Sequence, residues 1–336
     1  MTGNLEMVQA VFTPNTDVNK EVRWRAPIYL AADSGNKDIV RILLESPKLL
    51  RSGENESAMI SAFEDGNFEI GWMIFEHADK QALDLKDLVP DCLKMLIDVH
   101  GAIDQVRTLL DKATTIKGSS ERMEEWLRKG MDQAVEAGHE QILCLLLERG
   151  AKLQDCFKNV HMNTVVSLNA AGVARMLLDA GFQRPKEDWY KDLQWAAKLD
   201  NADIIRLLLL RNVVHLDEDS DLARQSKAIM MGFACAFGNV DLVRLYVEKG
   251  IPVDAPYYES VIDVQPIVVA AAYGQSVVER ALLELGAEPV DPLSTKWKER
   301  FTSGTVPLNS LKDQLIQKSE KNDRAWRSYW CCGVEL

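Results

Sequence analysis

The sequence predicts an all-α fold in the form of a solenoid of short helix–turn–helix repeats. One repeat is clearest at residues 26–45, where two short helical stretches flank a tight turn at Gly35. Similar segments return along the chain at spacings of about 31 to 38 residues, a period typical of repeat architectures. The predicted turn centres of these segments are Gly66, Gly101, Gly138, Asn169, Asp200, Gly238 and Gly274.

Each repeat is predicted to contain a short inner helix and a longer outer helix. Pro27 suits the first turn of an inner helix, because the amide that it lacks would have no partner there. Small residues before the turn let neighbouring inner helices approach closely. We therefore expect nearly complete burial of Ala31, Ala196, Ala197, Ala270 and Ala271. The outer helix of the first clear repeat has its apolar face at Ile39, Val40, Leu43 and Leu44.

The repeats differ in how closely they follow this pattern. The strong ones after residue 45 lie at 131–151, 193–210, 232–244 and 266–274, and the weaker ones at 58–70, 91–101 and 165–181. Longer steps mark insertions at 114–120, 217–221 and 252–266. Insertions between repeats map to hairpin tips on one edge of a solenoid, which is often the binding edge.

These segments resemble ankyrin repeats, through the Pro-Ile-Tyr-Leu-Ala-Ala opening after Ala26 and the period of the turns. The resemblance covers roughly residues 1–290 and implies a solenoid of about eight to nine repeats. The chain departs from the family where Ala26 and Gln265 replace the threonine before proline, and where Tyr29 and Val268 replace the histidine. In the family these two side chains tie adjacent turns together, so their loss implies local irregularity in the stack.

Residues 291–336 are predicted to differ in character from the repeats. Trp326, Tyr329 and Trp330 fall on one face of a helical pattern. A terminal repeat needs a cover for its apolar face, so we expect a helical C-terminal cap in which Trp326 and Trp330 pack on the last repeats. The alternative is a docking peptide.

Bulk composition narrows the function classes. A net charge of −12 disfavours nucleic-acid binding and leaves a cationic partner open. No apolar run reaches the ~20 residues of a membrane span, and the N-terminus lacks the pattern of a signal peptide. The six cysteines form no disulfide framework in a chain of this length, so we predict a reduced protein of the cytoplasm or the nucleus.

No familiar catalytic or cofactor motif occurs in the sequence. The glycine patterns of nucleotide-binding loops, the zinc-protease motif and the serine-hydrolase elbow are all missing. The histidines are too scattered to indicate a metal site, and no second cysteine pair accompanies Cys331 and Cys332. We therefore predict no cofactor and no bound metal.

In a stack of ankyrin type, inner-helix residues near the turns line a concave groove. At these positions the sequence has Arg25, Tyr29, Asp33, Glu64, Asp65, Asp98, Asp132, Glu136, Tyr190, Gln194 and Lys198. The middle of the predicted groove is acidic, with Arg25 and Lys198 nearer its ends. Asp132 and Glu136 stand four residues apart on one predicted helix, and we expect their side chains within about 6 Å of each other.

Two functions follow from this groove. The leading prediction is a module that binds a protein or a basic peptide through the acidic groove and the inserted hairpin tips. The alternative is an enzyme built on the same scaffold, with Asp132 and Glu136 as acid and base acting on a cationic or amino-acid-like substrate that carries a guanidinium or amine group. Solvated surface carboxylates without a ligand, as on a structural spacer, remain a third interpretation.

Overall fold

Nearly all regular structure in the described residues is helical, as the sequence predicted at the level of fold class. The structure, a computed structural model, describes residues 5–13, 16–20, 25–46, 49, 53–80, 88–98, 101–116, 119–214, 216, 220–254, 257–259 and 262–289. The chain divides into two compact units, Met1–Phe182 (unit 1) and Gln183–Leu336 (unit 2). The predicted cap at 291–336, with Trp326 and Trp330, lies outside the described residues.

Unit 1 contains helices α1 to α11. They are α1 (Leu5–Val11), α2 (Pro27–Asp33), α3 (Lys37–Leu44), α4 (Gly53–Glu64), α5 (Phe68–Lys80), α6 (Leu88–Asp98), α7 (Ile103–Thr115), α8 (Met123–Glu136), α9 (Glu140–Glu148), α10 (Met162–Ser167) and α11 (Ala171–Asp179). Two 3-10 segments, Ser119–Glu121 and Leu153–Asn159, stand on either side of the α8–α9 pair.

Unit 2 contains helices α12 to α17 and a short antiparallel hairpin. The helices are α12 (Lys186–Lys198), α13 (Ala202–Leu210), α14 (Asp221–Phe237), α15 (Val240–Glu248), α16 (Pro266–Ala272) and α17 (Ser276–Glu284). The hairpin strands are β1 (Tyr257–Glu259) and β2 (Ile262–Val264), with Tyr257 paired to Val264. The hairpin lies within the predicted insertion at 252–266.

All eight predicted turn centres separate two helices and have a left-handed backbone. Gly35 has a φ of 68°, while Asn169 and Asp200 reach 51° and 55°. This region is open to glycine and costs other residues energy, although asparagine and aspartate tolerate it best. The repeat period read from the sequence therefore located the turns correctly, including the two without glycine.

Helices of one kind pack on helices of the same kind within each unit. In unit 1, α2 packs on α4, α4 on α6 and α6 on α8, while α3 packs on α5, α7 on α9 and α9 on α11. In unit 2, α12 packs on α14 and α14 on α16, and α15 packs on α17. Each inner helix also contacts the outer helix that follows it, which gives two layers around a shared core.

Polar bonds between outer helices recur at about the repeat spacing. In unit 1 an ion pair joins Lys37 to Glu69, and others join Lys112 to Glu76 (2.7 Å) and Arg149 to Asp111 (2.9 Å). In unit 2 they join Arg206 to Asp241 (3.4 Å) and Arg244 to Glu284 (3.1 Å). A partly buried hydrogen bond from Trp72 Nε1 to Gln105 Oε1 (2.7 Å) also links α5 to α7. Exposed pairs contribute about 0–1 kcal/mol each, so they define the register of neighbours more than they stabilise the fold.

The core confirms most of the alanine prediction. Ala31, Ala196, Ala197 and Ala270 are buried, whereas Ala271 is half-buried. The prediction of nearly complete burial was therefore wrong for Ala271, since the side of α16 on which it lies retains contact with solvent.

Replacement of Ala197 by leucine is expected to lower the free energy of unfolding by roughly 1–3 kcal/mol, because three added carbons enter a filled space at the α12 surface. Ala197 is 3% exposed, so the new side chain has no open route to solvent. Chemical denaturation measures the change, and an unaltered midpoint would contradict this packing. The same change at half-buried Ala271 is the control and should cost less.

Candidate functional site

The predicted groove residues are divided between the two compact units. Unit 1 holds Arg25, Tyr29, Asp33, Glu64, Asp65, Asp98, Asp132 and Glu136, and unit 2 holds Tyr190, Gln194 and Lys198.

A carboxylate ends each of four successive inner helices of unit 1. Helix α2 ends at Asp33, α4 at Glu64, α6 at Asp98 and α8 at Glu136. We call these four residues the carboxylate row. The first three are exposed and Glu136 is half-buried. The four helices pack on one another in this order, so consecutive carboxylates of the row lie on neighbouring helices.

Contacts between neighbouring turns place these helix ends side by side. A methyl group added to Gly35 would lie 3.5 Å from the amide of Asn67, so the turn after α2 adjoins the turn after α4. One added to Gly101 would lie 2.6 Å from the imidazole of His139, so the turns after α6 and α8 adjoin as well. The indole–amide bond between α5 and α7 aligns the two middle repeats near the same edge.

Two members of the carboxylate row, Asp33 and Glu136, differ from the acidic residues of the outer helices. On the outer face, Glu69, Glu76 and Asp111 each pair with a cation of a neighbouring repeat. Among the described residues no lysine or arginine pairs with Asp33 or Glu136. Each member of the row also stands at the negative end of a helix dipole, which adds to the negative potential there.

Asp98 is the member of the row whose ionisation is most perturbed. The pKa of Asp98 is raised to about 6, mainly by loss of hydration and in smaller part by the charge of Glu136, while Lys94 and Gln133 oppose the rise. The amide of Gln133 donates a hydrogen bond to Asp98 Oδ1 across the α6–α8 contact. The side chain nevertheless remains exposed, so an external cation can reach it.

Asp132 is held by neutral and cationic donors rather than by a second carboxylate. Its Oδ2 accepts from Asn159 Nδ2 (2.8 Å) and from Arg128 Nη1 (3.2 Å), and its side chain is 19% exposed. Its Oδ1 is buried without a hydrogen-bond partner. Burial raises the pKa of Asp132, whereas Asn159 and Arg128 oppose the rise.

The pKa of Asp132 gives no support to the predicted acid–base pair of Asp132 and Glu136. Glu136 is not among the groups that shift the pKa of Asp132; instead it acts on Asp98 of the preceding repeat. The like-charge neighbours in this region therefore lie across two helices, at Asp98 and Glu136. Asp132 and Glu136 share helix α8, as predicted, and their role as acid and base stays a prediction.

The remaining predicted residues of unit 1 lie at its first two inner helices. The guanidinium of Arg25 lies 4.2 Å from the centre of the Tyr29 ring, a cation–π contact that occupies both side chains. Asp65 is exposed and follows Glu64 directly, so it adds a further negative charge at the end of α4.

The predicted residues of unit 2 do not extend the acidic surface. Tyr190 is 2% exposed, so its assignment to a ligand-facing groove was wrong; its large ring lies in the core. Gln194 Nε2 donates to Ser226 Oγ (2.8 Å) and serves as a link from α12 to α14. Lys198 ends α12, and α14 and α16 end at Phe237 and Ala272. The inner helices of unit 2 that the structure describes thus end without a carboxylate.

Sequence reasoning missed two polar partners in the acidic region. Asn159 bonds to Asp132 from the 3-10 segment, 27 residues further along the chain, and Gln133 bonds to Asp98 over 35 residues. No sequence signal identifies either amide, since both contacts depend on how neighbouring repeats pack.

A separate depression lies at the turn between α14 and α15 in unit 2. It measures about 400 Å³ and opens widely to solvent. It is lined by Asp200, Phe237, Gly238, Asn239, Val240 and Asp241, none of which was a predicted site residue. Asn239 Nδ2 donates to Asp200 Oδ1 at its rim (3.1 Å), so one of its carboxylates already has a bond to the adjacent turn.

In the described ranges, no group of three or more histidine, cysteine, aspartate or glutamate side chains is arranged to hold a metal ion. None of the helices described is both long enough and apolar enough to cross a membrane. Comparison with known proteins gives no match, either to a family model or to a curated sequence.

Proposed function

We propose that this chain is a repeat protein of ankyrin type that binds a basic peptide, or a basic segment of a protein, along the carboxylate row of unit 1. The observation that carries the proposal is the carboxylate at the end of four packed inner helices. The ankyrin assignment is supported by the helix–turn–helix repeats, their left-handed turns and the packing of like helices on one another. A cytoplasmic or nuclear partner suits a chain with scattered cysteines.

The row is a costly arrangement in the absence of a ligand. A negative charge at the C-terminal end of a helix opposes the helix dipole, at typically about 0.3–1 kcal/mol. Four such ends next to one another repel as well. A cationic ligand offsets both the unfavourable dipole interaction and the repulsion. Ligand binding therefore explains the row, whereas a contribution to stability does not.

Arginine is the side chain that fits this surface best. Its guanidinium forms two parallel hydrogen bonds to one carboxylate and loses less hydration energy than an ammonium group. Because the charge of Glu136 raises the pKa of Asp98, the two carboxylates lie close enough to interact, and a cation placed between them would satisfy both.

The spacing of the row defines the shape of the ligand. Packed helices lie about 8–10 Å apart, so successive carboxylates present charges at about that interval. A polyproline II helix has three residues per turn and rises about 3.1 Å per residue, so every third side chain lies on one face at about 9 Å intervals. The preferred partner is therefore a segment in this conformation with a cation at every third position.

Fluorescence anisotropy with a labelled peptide of four Arg-Pro-Pro triplets tests the proposal on the full chain. Binding should weaken as salt rises from about 0.01 to 0.15 M, since the Debye length falls from about 30 to about 8 Å. A Glu-Pro-Pro peptide of the same length is the control and should not bind. Absence of Arg-Pro-Pro binding at low salt, or affinity independent of salt, would refute the proposal.

Peptide affinity should also fall as the pH is lowered from 7.5 to 5. Asp98 has a pKa of about 6, so it is charged at pH 7.5, half-protonated near pH 6 and mostly neutral at pH 5. A neutral Asp98 loses its attraction for arginine, which removes one of four contacts. Titration at several pH values measures the effect, and an Asp98→Asn variant should show little change across pH 5.5–7.

A further inference from the structure

Arg184 bridges two carboxylates of helix α12 from the segment that precedes the helix. Its Nη1 lies 2.7 Å from Asp192 Oδ2, and its Nη2 lies 3.7 Å from Asp188 Oδ2. The guanidinium also lies 5.6 Å from the centre of the Trp189 ring. One cation thus ties the chain before α12 to the first and second turns of the helix.

The two carboxylates that share Arg184 have different surroundings. The Asp192 side chain is 6% exposed, whereas the Asp188 side chain is 33% exposed and also bonds to Lys191 Nζ (3.1 Å). The charged groups that act on Asp192 are Arg184, Asp188 and Lys191, all on this helix or just before it. Ser226, which reaches α12 from α14 through its bond to Gln194, is uncharged.

These surroundings shift the pKa values of the two acids in opposite directions. Burial raises the pKa of Asp192 to about 6, and the negative charge of Asp188 adds to the rise against Arg184 and Lys191. The hydrogen bond from Lys191 lowers the pKa of Asp188, so that group stays charged when Asp192 becomes neutral.

We propose that Arg184, Asp188 and Asp192 form a proton-sensitive latch at the start of α12, in which protonation of Asp192 transfers Arg184 to Asp188 and to solvent. The proton enters at the Asp192 carboxyl, which then no longer balances the guanidinium charge. Arg184 is only partly exposed while latched and has a second carboxylate within reach, so its release leaves no buried charge unpaired. The segment before Lys186 then loses its ion pair with Asp192 in the second turn of the helix.

The latch also has a consequence for overall stability, with the opposite sign. An acid whose pKa is higher in the folded than in the unfolded chain stabilises the fold when protonated, and that contribution is lost as the pH rises through about 6. Lowering the pH therefore opens the latch locally while the Asp192 contribution to the folding free energy increases.

Hydrogen–deuterium exchange of the full chain at pH 5 and pH 7.5 tests the latch. The amides of Asp188 and Trp189 bond to the Pro185 carbonyl in the first turn of α12, so peptides covering 184–192 report on it. After correction for intrinsic rates, exchange there should be about fivefold faster at pH 5, the factor that corresponds to about 1 kcal/mol. Equal corrected rates at the two pH values would overturn the proposal.

Variants assign the effect to Asp192. Asp192→Asn should exchange rapidly at both pH values, whereas the matched Asp188→Asn change should retain the pH step. If Asp192→Asn does not fold, Arg184→Gln provides the same test, because it removes the latch and leaves both acids in place. A pH step that survives in a folded Asp192→Asn or Arg184→Gln variant would also overturn the proposal.

Discussion

Neutralising the carboxylate row should abolish most peptide binding without harming the fold. The variant carries Asp33→Asn, Glu64→Gln, Asp98→Asn and Glu136→Gln. Four arginine contacts of about 0.5 kcal/mol each total about 2 kcal/mol, so the affinity for the Arg-Pro-Pro peptide should fall by about 30-fold. Because the changes also remove negative charges from helix C-termini, the melting temperature should stay the same or rise.

A charge-matched variant separates contact from general attraction. It neutralises four acids of the outer helices instead, with Asp38→Asn, Glu69→Gln, Glu76→Gln and Asp111→Asn. Its net charge changes by the same amount, yet its peptide affinity should change only slightly at physiological salt. If both variants lose binding equally, attraction by the overall net charge, and not the row, accounts for the affinity.

Replacement of Gly71 by leucine is expected to lower the free energy of unfolding by about 3 kcal/mol. A Cβ at this position in α5 would lie 2.5 Å from the ring of Phe63, which is fully buried in α4. That ring cannot move aside, because Trp72 packs on it with the ring centres 4.9 Å apart. Urea denaturation monitored by circular dichroism measures the loss.

A compensating change at Phe63 tests the cause. Phe63→Ala alone should also destabilise unit 1, because it leaves a cavity. The Gly71→Leu, Phe63→Ala double variant should be more stable than the sum of the two single effects predicts, since the new side chain enters the vacated space. Strict additivity would show that the contact between these two positions is not the source of the cost.

The local signals in the sequence were sufficient to locate the repeats. Turn positions are determined by residues that tolerate a left-handed backbone, and these were read correctly even at Asn169 and Asp200. The prediction of alanine burial was correct at four of five positions, because small residues before a turn allow neighbouring inner helices to pack closely. Ala271 is half-buried, because the exposure of a residue depends on neighbours that the local pattern does not reveal.

The arrangement of the site depended on tertiary packing. Asp132 and Glu136 have the spacing of a coupled pair, but Asp132 is bound by Arg128 and Asn159, and Glu136 acts on Asp98 of the preceding repeat. Alignment of the repeats placed Tyr190 at a groove position, yet its ring is buried. Helical spacing specifies which residues share a face, whereas their partners come from adjacent repeats.

The acidic character of unit 1 was visible in the sequence, but the row was not. Asp33, Glu64 and Glu136 each stand two residues before a turn glycine, whereas Asp98 stands three before Gly101. Because of that one-residue difference, an alignment of the repeats on their turn glycines does not match Asp98 with the other three carboxylates. The helix boundaries resolve it, because α6 ends at Asp98.

A comparison of peptide spacing tests the central claim most directly. Two peptides with four arginines and eight prolines are titrated into the full chain at the same salt concentration and pH. One has arginine at every third position and the other has its four arginines in succession. The proposal predicts that the evenly spaced peptide binds about tenfold more tightly, because only it can reach all four helix ends at about 9 Å intervals. Equal affinity, or preference for the clustered peptide, would contradict recognition of spaced cations by the carboxylate row.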